Sequence, residues 1–155
     1  MLSDRLVRMI EQHAEELTRA LVEDLQSNPR TPFYHRLSRE AIHRRTYSVY
    51  KNLGSWLNSK AEEDIKTDYT ELGKKREAEG VPLNEVVYAL TLTKYHLRDY
   101  IRAAGLVDSA VDLYQAMELQ HMLGQFFDKA IYYTVRAYER AANLQEATGA
   151  VHGAP

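Results

Sequence analysis

The sequence predicts an all-α fold, a bundle of about five helices with a long C-terminal helix and packing of the globin or four-helix-bundle type. No segment alternates apolar and polar residues at period two, as a half-buried strand would. Proline and glycine are scarce and stand between segments rather than inside them. Within the segments, apolar residues recur at about 100° per residue, the spacing of one helix face.

The first two predicted helices are bounded by capping residues and by proline. The first, residues 3–26, begins with Ser3 or Asp4 as its cap and stops before Asn28 and Pro29, because the residue before a proline disfavours helical geometry. Residues 31–34, "TPFY", form a turn or a single short helical turn. Ser38 is a good N-cap residue for the second predicted helix, residues 39–58.

The remaining segments predict three more helices. The third, residues 60–79, ends at the glycine that follows it, and Pro82 begins the fourth. Asp108 caps the last, which continues for about 35 residues, well above the usual 8 to 20. We therefore assign residues 1–143 to one helical domain and residues 144–155, rich in glycine and small side chains, to a flexible tail or linker.

Composition excludes several classes of function. The formal net charge is −2, and the basic, aromatic patch of residues 34–36 and 43–45 is too small for a nucleic-acid groove. The chain has no cysteine, so it has neither disulfides nor thiolate nucleophiles. It shows no signal-peptide pattern and no apolar run near the roughly 20 residues that span a bilayer. We expect a cytoplasmic protein with no membrane insertion and no nucleic-acid partner.

Two Glu-x-x-His motifs raise the question of a di-metal centre, since ferritin-like bundles use this pair. They are Glu118 with His121 and Glu40 with His43. Such a centre needs both motifs to face the bundle interior, but Glu118 and His121 fall on the polar side of the last helix. Glu40 lies in a first turn, where it complements the helix dipole. We expect no metal site.

Four polar residues fall on apolar stripes: His13, Asp24, Arg76 and Lys94. Each costs several kcal/mol to bury unless it is paired. One interpretation is structural, with pairing, capping and a histidine satisfied by a carbonyl or a tyrosine hydroxyl. The other is a small cavity in which His13, Arg76 and Lys94 bind an anionic or planar ligand. We expect no cofactor, although an inward His13 could also bind non-covalent haem as an axial ligand.

The last predicted helix has an apolar face broad enough to need more than one neighbour. It lies either at the centre of its own bundle or against the same helix of a second chain. We predict a homodimer because the helix is longer than its expected partners. The candidate interface residues are Phe126, Ala130, Tyr133 and Ala137.

Catalysis has little support in the sequence. A Ser-His-Asp order, a nucleophile elbow, a phosphate-binding glycine loop and a metalloprotease histidine pair are all missing from it. The 11 tyrosines fall at helical spacing on core and boundary faces. We therefore expect no enzymatic activity.

Two stretches, "NPRTPFYHRLSREAIHRRT" and "YTELGKKREAEGVPLNEVVYAL", carry recurring short motifs. They contain a Thr-Pro-x-Tyr turn before a helix, and then Gly, Arg and Gly-x-Pro-Leu entering the next helix. The chain resembles the RsbRD-type N-terminal domain of RsbT co-antagonist proteins in these elements. The matching residues are Thr31, Pro32, Tyr34, Gly73, Arg76, Gly80, Pro82 and Leu83.

The resemblance implies an all-helical input module placed ahead of an output domain. That output is a stressosome-type phospho-acceptor domain, a histidine kinase or a transcription regulator. No output domain follows in this sequence, so we expect either an excised input domain or a chain that acts with a separate partner protein. The predicted function is a non-enzymatic sensory or regulatory module of bacterial signal transduction that relays a signal through a dimeric C-terminal helix. The alternative is a ligand- or haem-binding helical protein with a core cavity.

Overall fold

The computed structural model describes residues 2–57, 62–104 and 109–153, and all the helices given below lie within these ranges. Their regular structure is helical throughout, which confirms the all-α prediction. The α-helices are α1 (Leu2–Gln12), α2 (Ala14–Ser27), α3 (Arg39–Lys51), α4 (Leu53–Trp56), α5 (Glu62–Ala78), α6 (Leu83–Ala103) and α7 (Ala110–Gly153). A 3-10 helix, Pro32–Arg36, connects α2 to α3. Two of the five predicted helices are each divided in two.

The first division falls at His13. Its φ of −106° and ψ of 18° interrupt the helix, and its Nδ1 donates to the Met9 carbonyl at 2.8 Å. The next helix begins with Glu15 and Glu16, which favour a helix N-terminus electrostatically. The break leaves His13 exposed, so the prediction that it points inward was wrong.

The second division falls at Asn52, whose φ is −113° and ψ 28°. Leu53 is fully buried, and α4 then packs against α1. A Cβ atom on Gly54 would lie 3.3 Å from a carboxylate oxygen of Glu11 and 3.4 Å from Val7. The glycine therefore permits the close approach of α4 to α1.

The turn between α2 and α3 is fixed by hydrogen bonds. The Thr31 hydroxyl donates to the Leu25 carbonyl at 2.8 Å, and the Phe33 N–H donates to Oε1 of Glu85 at 2.7 Å. Glu85 is buried in the first turn of α6, so this bond ties the turn to α6. The Ser38 hydroxyl accepts a backbone N–H from the first turn of α3, which confirms the predicted cap.

The C-terminus of α5 forms a Schellman motif. The Gly80 N–H donates to the Glu77 carbonyl at 3.0 Å, and the Val81 N–H donates to the Arg76 carbonyl at 3.1 Å. Gly80 has a φ of 77°, in the left-handed region that favours glycine. Pro82 follows as the N-cap of α6, so the predicted end of one helix and start of the next are both confirmed.

Helix α7 is the longest element, with 44 residues and a length of roughly 66 Å at 1.5 Å per residue. It packs most extensively against α5, and also against α6 and α1. The helix continues through residues 144–153, which the sequence analysis assigned to a flexible tail. Residues 143–149 are exposed. Among the described residues, no helix is long and apolar enough to cross a membrane.

The face of α7 proposed as a dimer interface is covered by its own chain. Phe126, Ala130 and Ala137 are buried, and Tyr133 is partly buried. A Cβ atom on Gly73 of α5 would lie 2.9 Å from the Cβ of Ala137. The prediction that these residues form a dimer interface therefore has to be corrected, because helices of the same chain, among them α4 and α5, already pack against them. Helix α7 lies at the centre of its own bundle here.

Candidate ligand pocket

A pocket of about 180 Å³ opens between α3, α5 and α6, with α4 and the 3-10 helix at its ends. Helix α5 packs mainly on α7 and α3 mainly on α2, so α3 and α5 face each other across this space. Most of the wall is apolar. It includes Leu25, Val49, Leu72, Val86, Ala89 and Leu90.

One end of the pocket, the arginine end, contains Arg45, Arg76 and Tyr34. The carboxylate of Glu79 accepts hydrogen bonds from both guanidinium groups, from Arg76 Nη1 at 2.8 Å and from Arg45 Nη2 at 2.5 Å. Arg76 is buried, and the side chain of Arg45 is 20% exposed. Two guanidinium groups therefore share the carboxylate of Glu79, and the buried carboxylate of Glu85 also acts on Tyr34 at this end.

The pKa values at the arginine end follow from burial and from this pairing. Burial, and after it the charge of Arg45, lowers the pKa of Arg76. Burial alone would raise the pKa of Glu79, but the hydrogen bond from Arg45 and the two positive charges outweigh it and hold that pKa below its usual value. Burial raises the pKa of Tyr34, although the arginine charges oppose the shift. Tyr34 thus keeps a hydroxyl that can donate a hydrogen bond.

The other end of the pocket, the tryptophan end, is aromatic. The ring centroid of Trp56 lies 5.8 Å from that of Tyr69 and 5.7 Å from that of Phe126. Burial raises the pKa of Tyr69, so its hydroxyl also stays protonated. Trp56 is the one tryptophan of the chain, so its fluorescence reports on this pocket alone.

Two donors on the pocket wall are buried without an acceptor. Among the described residues, the buried side-chain nitrogen and oxygen atoms that lack a partner are Arg45 Nη1, Trp56 Nε1 and Thr70 Oγ1. Such atoms are rare in folded proteins, because an unpaired buried donor costs about 1 to 3 kcal/mol. Arg45 and Trp56 both line the pocket, at its opposite ends. The wall therefore presents unsatisfied donors in an otherwise apolar space.

The three predicted ligand-binding residues do not meet. Arg76 lines the pocket, which confirms that it points inward and is paired. His13 is exposed, with its ring 5.8 Å from that of Tyr100, and Lys94 is only partly buried. Neither residue lines the pocket. Asp24, the fourth inward candidate, is partly buried and binds Nε2 of His96 at 2.8 Å.

Sequence reasoning missed Arg45, Trp56, Tyr34 and Glu79 as parts of a site. Arg45 was assigned to a surface basic patch, yet it lies three residues after Ile42 and shares its helix face. Glu79 follows Arg76 by three residues, a spacing at which side chains on a helix meet. Both signals were present in the sequence.

The residues present do not fit the haem alternative. That alternative depended on an inward His13 as axial ligand, and this side chain is exposed outside the pocket. The described part of the pocket wall contains no histidine.

The two Glu-x-x-His motifs lie away from the pocket. His121 is exposed, and Nε2 of His43 lies 2.8 Å from a carboxylate oxygen of Glu15. In the ranges that the structure describes, no three or more His, Cys, Asp or Glu side chains come together as a metal site would require.

The fold and the pocket define an all-helical domain built around one long helix. A family model described as the RsbT co-antagonist protein rsbRD N-terminal domain matches residues 11–150. The chain belongs to this family, a helical domain family of stress-signalling regulation, and the resemblance stated above is confirmed. No curated protein and no solved structure matches the chain.

Several of the residues that carry the resemblance lie at or near the arginine end of the pocket. Thr31 fixes the turn that places Tyr34 on the wall, and Gly80 ends α5 one turn after Arg76. Gly73 lies on α5 between Tyr69 and Arg76, next to the pocket face, and permits close contact with α7. These residues thus have two structural roles. They allow α5 to pack closely on α7, and they position the charged end of the pocket.

Proposed function

We propose that the chain is a non-enzymatic sensory or regulatory input domain of bacterial signal transduction. It acts in the cytoplasm as a homodimer and relays a signal through α7 to an output domain or a partner protein. Family membership supports the regulatory class. The relay through α7 is supported by the length of this helix, which packs against α5, α6 and α1 and then continues as an exposed helix.

The contacts of α7 with α5 give the relay a physical basis. Tyr133 Oη donates to Glu62 at the start of α5 at 3.1 Å, and Gln145 Nε2 donates to Glu77 near its end, also at 3.1 Å. Between them, Gly73 brings the two helices together. Because α5 also carries Arg76 of the pocket, a shift of α5 would move α7 with it.

The proposed dimer surface is the apolar start of α7. Four large side chains there are at least half exposed: Val111 (57%), Leu113 (50%), Tyr114 (69%) and Met117 (62%). A contiguous exposed apolar surface marks an interaction site. Two copies related by a two-fold axis would cover this surface on each other, since such an interface uses the same patch twice.

The test is the native mass of the purified protein and of two variants. We expect wild type to have the mass of two 17.9 kDa chains, and Met117→Lys to have the mass of one. Tyr95→Lys is the control, because Tyr95 is also exposed, at 44%, but lies on α6. A monomeric wild type at tens of micromolar would overturn the dimer, and a dimeric Met117→Lys would overturn this surface.

A second function, a carrier of a small ligand, is favoured by the pocket alone. A carrier needs no coupling between its pocket and α7, whereas an input domain does. The chain has no native cysteine, so two spin labels can be attached to the cysteines of a Lys66→Cys, Leu144→Cys double variant. A pocket ligand that changes the distance between the labels supports the input domain, and an unchanged distance with a bound ligand supports the carrier.

A further inference from the structure

We propose that the pocket binds a small amphipathic monocarboxylate, with its carboxylate at Arg45 and Arg76 and its apolar body extending towards Trp56. The inference rests on the proposed function in one respect, because it supplies the ligand class that the input domain would sense. Its evidence comes from the pocket itself, through the pairing of the arginines, the distance between the two ends and the nature of the wall.

At the arginine end, one buried guanidinium nitrogen has no hydrogen-bond acceptor. Glu79 binds Nη1 of Arg76 and Nη2 of Arg45, while Nη1 of Arg45 is buried without an acceptor. A guanidinium group binds a carboxylate best through two parallel N–H donors. The carboxylate of a ligand would satisfy the free nitrogen, and the Tyr34 hydroxyl on the same wall can donate to it.

Asp68 also lines the pocket, away from the arginine end. It lies eight residues before Arg76 on α5, which corresponds to about 12 Å along the helix axis. Asp68 is also exposed, so water screens its charge. A ligand with a second negative charge would bring that charge to the tryptophan end, against apolar wall and towards Asp68. The arrangement therefore selects one carboxylate over two.

The distance between the two ends sets the length of the ligand. Tyr69 and Arg76 are seven residues apart on α5, which places the ends about 10 Å apart. Between them the wall is formed by Val49, Leu72 and Leu90. A cavity of about 150 Å³ is known to bind benzene, so the 180 Å³ here accommodates one ring with a short chain, or an alkyl chain of similar length. Arylalkyl and medium-chain carboxylates meet these requirements.

The experiment is a titration of Trp56 fluorescence with 3-phenylpropionate and with octanoate, and with 3-phenylpropanol as the uncharged control. We expect a saturable change with at least one of the two acids and at least tenfold weaker binding of the alcohol. Arg45→Gln should weaken binding of that acid at least tenfold. Arg44→Gln, the neighbouring exposed arginine outside this pocket, is the matched control and should bind as wild type does.

A second variant protects the test against loss of the fold. Ala89→Leu places a larger side chain in the pocket without touching the arginines, and it should abolish binding while circular dichroism shows the native helical content. The proposal is overturned if neither acid binds at millimolar concentration. Equal affinity for acid and alcohol, or Arg45→Gln within threefold of wild type, overturns it too. The native mass measurement is independent of these outcomes, so failure here leaves the dimer and its surface intact.

Discussion

Two adjacent strips of the α5 surface differ in how closely they are packed. Towards α7, Gly73 lets the backbones approach so closely that a single added Cβ would lie 2.9 Å from Ala137. Towards α3, the same helix carries Tyr69, Leu72 and Arg76 along an open pocket. One helix thus combines a close-packed interface with a wall that leaves space. The difference teaches that a cavity in a small bundle needs a rigid support beside it, since a loosely held helix would close the space.

The largest effect should come from Glu79→Gln, which removes the charge that pairs both arginines. Arg76 is buried, and an uncompensated buried charge costs about 3 kcal/mol, the lower end of the range for broken buried pairs, because Glu79 itself is partly exposed. Urea unfolding measures this loss. Glu71→Gln, which breaks the exposed pair with Lys74, is the control and should cost no more than about 0.5 kcal/mol. Equal losses of unfolding free energy in the two variants would mean that the ion pairs of Glu79 stabilise the fold no more than an exposed ion pair does.

The same carboxylate makes stability depend on pH in a defined direction. Because the pKa of Glu79 is lower in the folded state, its contribution is complete above the ordinary value of 4.5 and is lost as pH falls through the lowered pKa. The difference in unfolding free energy between wild type and Glu79→Gln should therefore narrow as pH falls below 4.5. Urea unfolding of both proteins at several pH values measures it. A constant difference down to pH 3 contradicts the assignment to Glu79.

Where α5 packs on α7, Gly73→Ala should destabilise the fold. The added methyl group meets the Thr134 carbonyl oxygen and Ala137, and overpacking of this kind costs about 1 to 3 kcal/mol. Gly124→Ala on α7 is the matched control, because its Cβ would enter open space and should stabilise the helix by up to about 1 kcal/mol. Thermal unfolding gives both values. The same sign for both substitutions would show that α5 and α7 separate easily.

A smaller effect is expected from Tyr138→Phe. Tyr138 on α7 donates a hydrogen bond to the carbonyl of Val81, the last residue of the Schellman motif. Val81 is fully buried, so loss of the donor should cost about 1 kcal/mol in thermal unfolding. Tyr132→Phe, at an exposed position on the same helix, should cost almost nothing. If the two variants have the same stability, the hydrogen bond of Tyr138 does not help to hold α7 to the end of α5.

Much of the fold could be predicted from local chemistry. Ser38, Gly80 and Pro82 mark helix ends because their capping and backbone preferences act within a few residues. The breaks at His13 and Asn52 were missed, since neither is a glycine or a proline. Each depends on what a later segment packs against, as the close contact of Gly54 with α1 shows. Periodicity alone does not contain that information.

The site was predictable only in part, for a similar reason. Arg76 could be identified because it interrupts an apolar stripe within one helix. Its partners Arg45 and Tyr34 come from other elements, and only tertiary structure brings them together. Phe126 shows the opposite error. Its apolar face was assigned to a second chain, whereas Trp56 and Tyr69 of its own chain cover it.

The uninterrupted course of α7 has a consequence for whatever is attached beyond it. Each residue of a helix turns the direction of the next by about 100°, so adding one residue after position 149 would point an attached domain to a different side. Adding seven residues would restore the direction to within about 20° while moving the domain roughly 10 Å farther away. Angular phase, more than distance, would then decide which surfaces of two attached domains face each other.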